Sequence, residues 1–379
     1  MAYLLVGVSM REFRIAVFPG DGIGGEVMAP CLTLLESVAS RSDEFRLRFE
    51  THEAGAQLYR RTGVALPDAA LRAAEAADAV LLGAMGLPDV RYPDGTEIAP
   101  QLDLRERFGL YAGVRPIRVL PGAPTPLADP RAQRIDAVLV RESTEGLFAA
   151  RTMTRREGEA AVFDTMRISR DTCERLFAFA FTLARRRRRA GRPGRVTCVD
   201  KANVLPAMAF FRQLFLESAS RHPDIQADCA YVDAVGLRLV RAPWEFDVLV
   251  TENMFGDILS DVGAALMGGM GMAPSADIGD GHAVFQPCHG TAPDIAGRGV
   301  ANPTAMFLSA AMMLDWLGDR HAVQGCHRAA AAIVGAVEAA YADGSLVTVE
   351  NGGTADTAAV TARVMRGLER HMASPELPA

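Results

Sequence analysis

The six cysteines of this 379-residue chain (Cys31, Cys173, Cys198, Cys229, Cys288 and Cys326) include no C-x-x-C pair. Their scatter reads as reduced thiols in a cytoplasmic protein, not as a disulfide framework. No apolar stretch is long enough to cross a bilayer, which predicts a soluble protein with no membrane partner. Positive charge is not in excess either. A net charge of −6 argues against a nucleic-acid partner. The local exception, ARRRRRAGR from Ala184, has no aromatic residue interleaved and reads as the solvated end of a helix entering a Gly-Pro turn. Internal repeats and Pro/Ser-rich linkers are missing as well. The opening MAYLLVGVSM has a short apolar run without a basic n-region or a small-residue cleavage site; it reads as an extra leader, with Met10 as an alternative start.

What is present is apolar and periodic. With 49% hydrophobic and 23% charged residues, the chain can bury a large core and suggests roughly two domains. FRIAVFP, DAVLLGA, VRPIRVL, DAVLVRE, RVTCVDKAN and FDVLVTEN read as strands, and helical periods lie between several of them. This is an α/β pattern. In such folds the polar groups at strand ends tend to form the site, and here those ends carry Arg141, Lys201 and Asn253. The Gly-rich segment from Met267 to Asp294 reads as a departure from regular elements into a long loop. NPTAMFLSAAMMLDWLG, after it, reads as a core helix whose Met and Phe residues are packing material.

Several residues carry chemistry. GDGIGG at Gly20 formally matches G-x-G-x-x-G through Gly20, Gly22 and Gly25, but Asp43 and Glu44 sit in a polar turn instead of ending a second strand. A plain tight turn explains it equally well. Arg105, Arg115 and Arg141 form a candidate carboxylate clamp, because a guanidinium fork binds a carboxylate bidentately. Lys201, at the end of a buried strand, either caps nearby carbonyls or has its pKa depressed into a useful range. Asp257 and Asp261 are four apart and so share one side of a helix, where like charges repel unless a cation intervenes. With Asp233 they make an all-oxygen set suited to Mg²⁺ or Mn²⁺. A simple N-cap remains the alternative for Asp257.

These pieces, in order, resemble the metal-dependent β-decarboxylating dehydrogenases that act on isopropylmalate, homoisocitrate, isocitrate, tartrate and D-malate. The matching phrases are FPGDGIGGEV, LYAGVRP, VRESTEGL, VDKANV, YVDAV, FGDILSD, HGTAPDIAGRGVANPTA and ENGGTADT. The resemblance implies an isopropylmalate dehydrogenase-like α/β fold of two domains with the active site in the cleft between them. It implies a discontinuous cofactor-binding domain (1–112 and 267–379) and a substrate, metal and dimerisation domain (113–266). Arg105, Arg115 and Arg141 would clamp the malate portion of a 2-hydroxy di- or tricarboxylate. Asp257 and Asp261 would hold Mg²⁺ or Mn²⁺, with Asp233 and the proton-accepting Lys201 supplied by the partner subunit of a homodimer with shared sites.

Asn203, His289, Gly290, Asp294, Ile295 and Asn302 would bind the cofactor, and Asp294-Ile295 resembles the NAD form, since a carboxylate accepts from a free ribose hydroxyl and repels a 2′-phosphate. By the same resemblance GDGIGG is not a true dinucleotide fingerprint. Two departures stand out. Phe148 occupies the place of the family's usual enol-protonating tyrosine, and a phenyl ring cannot donate that proton. The pocket for the C3 substituent, at Ile98, Gln101 and Leu102, is more mixed than an isopropyl group needs. An isopropylmalate-type substrate leads, a tartrate or D-malate type follows, and a weakly catalytic NAD- or carboxylate-binding paralogue is the reading from another class.

Overall fold

The computed structural model describes residues 10–149 and 153–373. The leader segment ahead of Met10 lies outside them. Contacts divide the chain into two compact units, Met1–Gln101 with Val284–Ala379 and Leu102–Ala283. The sequence reading put these junctions at 112/113 and 266/267. They lie further out because the strand carrying Asp277 pairs with the strand carrying Arg115, which draws the flanking segments into the second unit.

The first unit opens with β1 (Arg11–Gly20), α1 (Gly24–Ser40), β2 (Phe45–Thr51), α2 (Ala56–Thr62), α3 (Asp68–Ala76) and β3 (Ala79–Ala84). The second contains α4 (Pro100–Phe108, entered at the junction), β4 (Ala112–Arg118), β5 (Asp136–Glu142), α5 (Gly146–Ala149), β6 (Arg155–Glu157), β7 (Ala161–Phe163), α6 (Arg170–Arg189), β8 (Arg195–Asp200), α7 (Pro206–Ser220), β9 (Gln226–Tyr231), α8 (Val232–Arg241), β10 (Val248–Thr251), α9 (Asn253–Leu266) and β11 (Pro274–Ile278). The first unit resumes through β12 (Ala283–Pro287), α10 (Thr304–His321), α11 (Gln324–Tyr341) and α12 (Thr357–Ala373).

In the first unit the strand order is β2-β1-β3-β12, with parallel pairings throughout. Every residue of β3 is buried, as expected of a parallel strand covered on both faces. In the second unit the order is β11-β4-β5-β10-β8-β9: β4 is antiparallel to both neighbours and the others run parallel. All six strands read from sequence are present. The Gly-rich segment is a correction. It holds β11 and β12, and the longer irregular stretch begins at residue 288. Both strands are only five residues long and are separated by a glycine-containing turn at 279–282, so neither shows a clear period.

Two local details position functional side chains. The Glu252 carboxylate caps α9 by accepting from the Met254 and Phe255 N–H groups at 3.1 and 2.6 Å. The cap is therefore Glu252, not Asp257, and it sets where the helix carrying both aspartates begins. The GDG turn is structural. Gly20 and Gly22 have φ of +76° and +55°, and a side chain at Gly22 would strike the Thr291 carbonyl. Buried Asp21 accepts from the backbone of Ala56, Gln57 and Gly86 at 2.7, 2.8 and 2.9 Å. Gly25, the third residue of the formal match, faces open space. The arginine run also departs from a purely solvated helix end, since Arg187 bridges buried Asp247 and Asp136 at 2.5 and 3.0 Å.

Candidate active site

Arg115 sits within β4 and Arg141 near the end of β5, paired strands of the second unit, while Arg105 lies on α4. All three are buried, and Asp277 of β11 explains why two of them can be. Its carboxylate accepts from Arg105 Nε at 2.9 Å and from Arg115 Nη2 at 3.0 Å. Burial alone would push the Asp277 carboxyl up, but the two guanidiniums prevail and hold it at about 2. Arg141 is built in differently. Its Nε and Nη2 both donate to Asn253 Oδ1, at 2.9 and 2.7 Å, and Asn253 Nδ2 donates to the Glu145 carbonyl at 2.8 Å. Its Nη1 donates to Asp257. Gly256 leaves room for this side chain, since a Cβ there would meet Arg141 Cγ at 2.6 Å. Burial, then the charges of Arg105 and Arg115, pull the Arg141 pKa down to about 10, with Asp257 working the other way. Three mutually repelling guanidiniums, two of them sharing a single buried carboxylate, favour an anionic ligand.

The aspartates of α9 face away from its buried stripe. Burial and repulsion from Asp257 raise the Asp261 carboxyl, against the pull of Arg141 and Arg115. Oxygen donors one turn apart, carrying excess negative charge, fit a hard divalent cation. Asp233, at the start of α8, is not gathered with them. Among the described residues, the only group of three or more His, Cys, Asp or Glu with donor atoms mutually within 4.8 Å is Cys198, Asp200 and Cys229. Asp233 instead accepts from Lys201 Nζ at 2.5 Å, a contact that lowers its carboxyl pKa.

In the first unit the 288–303 loop holds the nucleotide-binding candidates. Burial lowers the His289 pKa; its Nδ1 contacts the Gly290 carbonyl at 2.9 Å, and its buried Nε2 has no hydrogen-bond partner. Asp294 and Gly290 are exposed, Ile295 is half-buried, and Asn302 is buried with its Oδ1 accepting from Thr304 N at 3.1 Å. A loop that carries an unpartnered ring nitrogen and an exposed carboxylate suits a ribonucleotide ligand. Asn203, in the second unit, is exposed in the turn after β8.

The isocitrate/isopropylmalate dehydrogenase family model matches residues 14–365. The chain belongs to that family. Isocitrate/isopropylmalate dehydrogenases are oxidoreductases, decarboxylating dehydrogenases acting on a CH–OH group, and the α/β architecture agrees. The chain is 42% identical over 317 residues to the 3-isopropylmalate/3-methylmalate dehydrogenase of Methanocaldococcus jannaschii, covering 83% of this chain and 89% of that protein. It is 38% identical over 376 residues to the 3-isopropylmalate dehydrogenase of Heyndrickxia coagulans, covering 97% and 99%. Among solved structures, the isocitrate dehydrogenase of Methylococcus capsulatus superposes with a TM-score of 0.81 at 34% identity, covering 94% of this chain and 99% of that one.

The residues expected to form the C3 pocket divide. Ile98 is fully buried in a cluster with Ala56, Ala65, Leu87 and Val90, packed by Tyr59 and Tyr92, and has no exposed surface to offer a substituent. Gln101 and Leu102, by contrast, are half-buried on α4, and the buried Gln101 Oε1 has no hydrogen-bond partner. Phe148, half-buried on α5, lies with its ring centroid 5.4 Å from the Arg141 guanidinium carbon.

Several polar residues of the site went unread in the sequence. Asp277 sits in a segment that looks like loop, so nothing flagged it. Glu142 ends strand β5 and Glu252 follows β10, and the strand-end rule that selects Arg141 and Asn253 would have found both. Burial pushes the Glu142 carboxyl up to about 7, despite the hydrogen bonds it accepts from Thr144 and Glu145. Composition held another signal. Lys201 is the only lysine among 40 lysine and arginine residues, so one primary amine is kept where arginine serves everywhere else.

Proposed function

We propose that this protein is an NAD-dependent, divalent-metal-dependent dehydrogenase that oxidises and decarboxylates a 3-substituted malate, with a 3-isopropylmalate-type acid as first substrate. The observation that carries this reading is the buried trio of Arg105, Arg115 and Arg141 adjoining Asp257 and Asp261, which suits a dicarboxylate and a cation together. The guanidiniums orient the carboxylates of the malate portion, and Asp277 holds two of them ready. Asp257 and Asp261 would hold Mg²⁺ or Mn²⁺, which when bound polarises the C2 oxygen as a Lewis acid. NAD, when bound, would supply the acceptor for the C2 hydride. Lys201 takes up the C2 hydroxyl proton. The 288–303 loop would seat the adenosine half through His289, Asp294 and Asn302, and the carboxylate of Asp294 favours NAD over its 2′-phosphorylated analogue.

A homodimer with shared sites belongs to this proposal. Lys201 and Asp233 pair with each other and not with the α9 aspartates. Exposed Leu237 and Val240 on α8 and Ile258 on α9 supply apolar surface suited to a second copy. The test of the function is NADH formation with Mn²⁺ against isopropylmalate, D-malate, tartrate, isocitrate and homoisocitrate, with the keto product identified. Preference for isopropylmalate supports the first reading, and silence across the panel sinks it. The tartrate or D-malate reading has its own support in Gln101. It lies half-buried one turn from Arg105 on α4, a polar side chain where an isopropyl group would want an apolar one.

Three variants probe individual parts. Asp257→Asn removes a charged donor and should weaken Mn²⁺ binding at least tenfold by calorimetry; undiminished affinity would refute the ligand assignment. Phe148→Tyr places a hydroxyl near Arg141 and should speed product formation if enol protonation limits turnover. An unchanged single-turnover rate would mean that the step is served elsewhere. Glu26 of α1 accepts from the backbone of Gly297 and of Gly299, the latter at 3.1 Å, and so braces the 288–303 loop. Glu26→Ala should raise KM for NAD about tenfold with little change in kcat, as expected for losing charged hydrogen bonds worth about 1.5–3 kcal/mol. An equal loss in both would contradict that role.

A further inference from the structure

Cys198 and Cys229 are register partners on the adjacent parallel strands β8 and β9. Paired residues on neighbouring strands point to the same face about 4.8 Å apart, within the Cα spacing that a disulfide spans. Their sulfurs and an Asp200 oxygen lie within 4.8 Å of one another. Cys198 is fully buried, and its Sγ donates to Asp200 Oδ2 at 3.7 Å. Cys229 is half-buried, and β9 ends the strand order of its unit, so a small solute can reach it.

The surroundings favour thiol chemistry over a metal. Both Asp200 oxygens are already taken, by Arg212 at 2.7 Å each and by the Ala202 N–H at 2.8 Å, so the acid is not a free third donor. The neighbouring Cys198 thiol, and after it Arg212, lower the Cys229 pKa against burial. Those are the surroundings of a nucleophilic thiol beside a resolving one.

We propose that Cys198 and Cys229 are a peroxide-reactive dithiol that closes reversibly to an intrachain disulfide and lowers dehydrogenase turnover. The Cys229 thiolate attacks the peroxide. An S–O bond forms, the O–O bond breaks, and protonation releases water or an alcohol, leaving a sulfenic acid. Cys198 sulfur then attacks Cys229 sulfur, and the sulfenic oxygen leaves as water with the Cys198 proton. The two thiols lose two electrons and the peroxide gains them. The link to turnover is topological. β8 runs directly into Lys201, and β9 runs through Tyr231 into α8 and Asp233, so drawing the sulfurs together displaces the strand ends that carry the Lys201–Asp233 pair. That last link rests on the role proposed for Lys201.

The test treats the full-length protein with hydrogen peroxide, alkylates free thiols, and maps peptides under non-reducing conditions beside kcat and KM. The expected result is a Cys198–Cys229 cross-linked peptide and a several-fold loss of kcat, both reversed by dithiothreitol. Cys229→Ser should show neither. Cys198→Ser should leave a Cys229 sulfenic acid that dimedone traps, and thermal unfolding confirms that each variant is folded. Both thiols still alkylated after peroxide would overturn the proposal, as would Zn²⁺ bound stoichiometrically and shielding them. A disulfide without loss of kcat overturns the coupling to turnover. Failure of the substrate panel would instead show as no activity before oxidation, with the peptide map unaffected.

Discussion

Asp277→Ala should destabilise the protein by about 3–5 kcal/mol and lower kcat/KM by two orders of magnitude or more, because it strands two buried guanidiniums without their shared counter-ion. Asp277→Asn keeps the volume and one acceptor and should lose less of both. Urea denaturation and steady-state kinetics on the pair check this. Stability within 1 kcal/mol of the parent in the alanine variant would mean that Arg105 and Arg115 do not depend on this carboxylate. The pH dependence has a definite sign. The folded Asp277 carboxyl, held at about 2, lies below its ordinary value of 3.8. The protonated form is therefore favoured more in the unfolded chain, and the stabilisation is full above pH about 4 and lost as pH falls towards 2. A shift of that size amounts to about 2 kcal/mol. The parent protein should lose that stability on acidification, and the alanine variant should not.

Lys201→Met should reduce kcat about 10²–10⁴-fold with a smaller change in KM, the range expected for removing a positioned acid–base group. Lys201→Arg is the sharper variant. Arginine replaces lysine everywhere else in this sequence, so charge alone is not what this position supplies. A guanidinium keeps the positive charge beside Asp233 but cannot give up its proton. If Lys201→Arg is as inactive as Lys201→Met, a titrating amine is required. Activity within tenfold of the parent would reduce Lys201 to an electrostatic partner of Asp233. The single lysine also permits a direct measurement. Reductive ¹³C-methylation labels Lys201 and the chain's α-amine alone, so the Lys201 resonance is one of two, is identified by its loss in Lys201→Met, and can be followed through a pH titration.

The sequence by itself determined the α/β class, six of the strands, the core helix α10 and the family, because apolar periodicity and long motifs are local signals. It also pointed to Arg141 and Lys201 by their strand-end positions, to Asp257 and Asp261 by helix spacing, and to Arg105 and Arg115 as members of an arginine cluster. Only the tertiary structure revealed that Asp277 holds two of the arginines from 172 and 162 residues away along the chain. Only there does Ile98 turn into a core and Cys198 meet Cys229 across a strand pair. The physical reason is the same in each case. A buried charge is tolerable only beside its partner, and a side chain's face is set by what packs against it; both are decided by long-range pairing that no local pattern encodes.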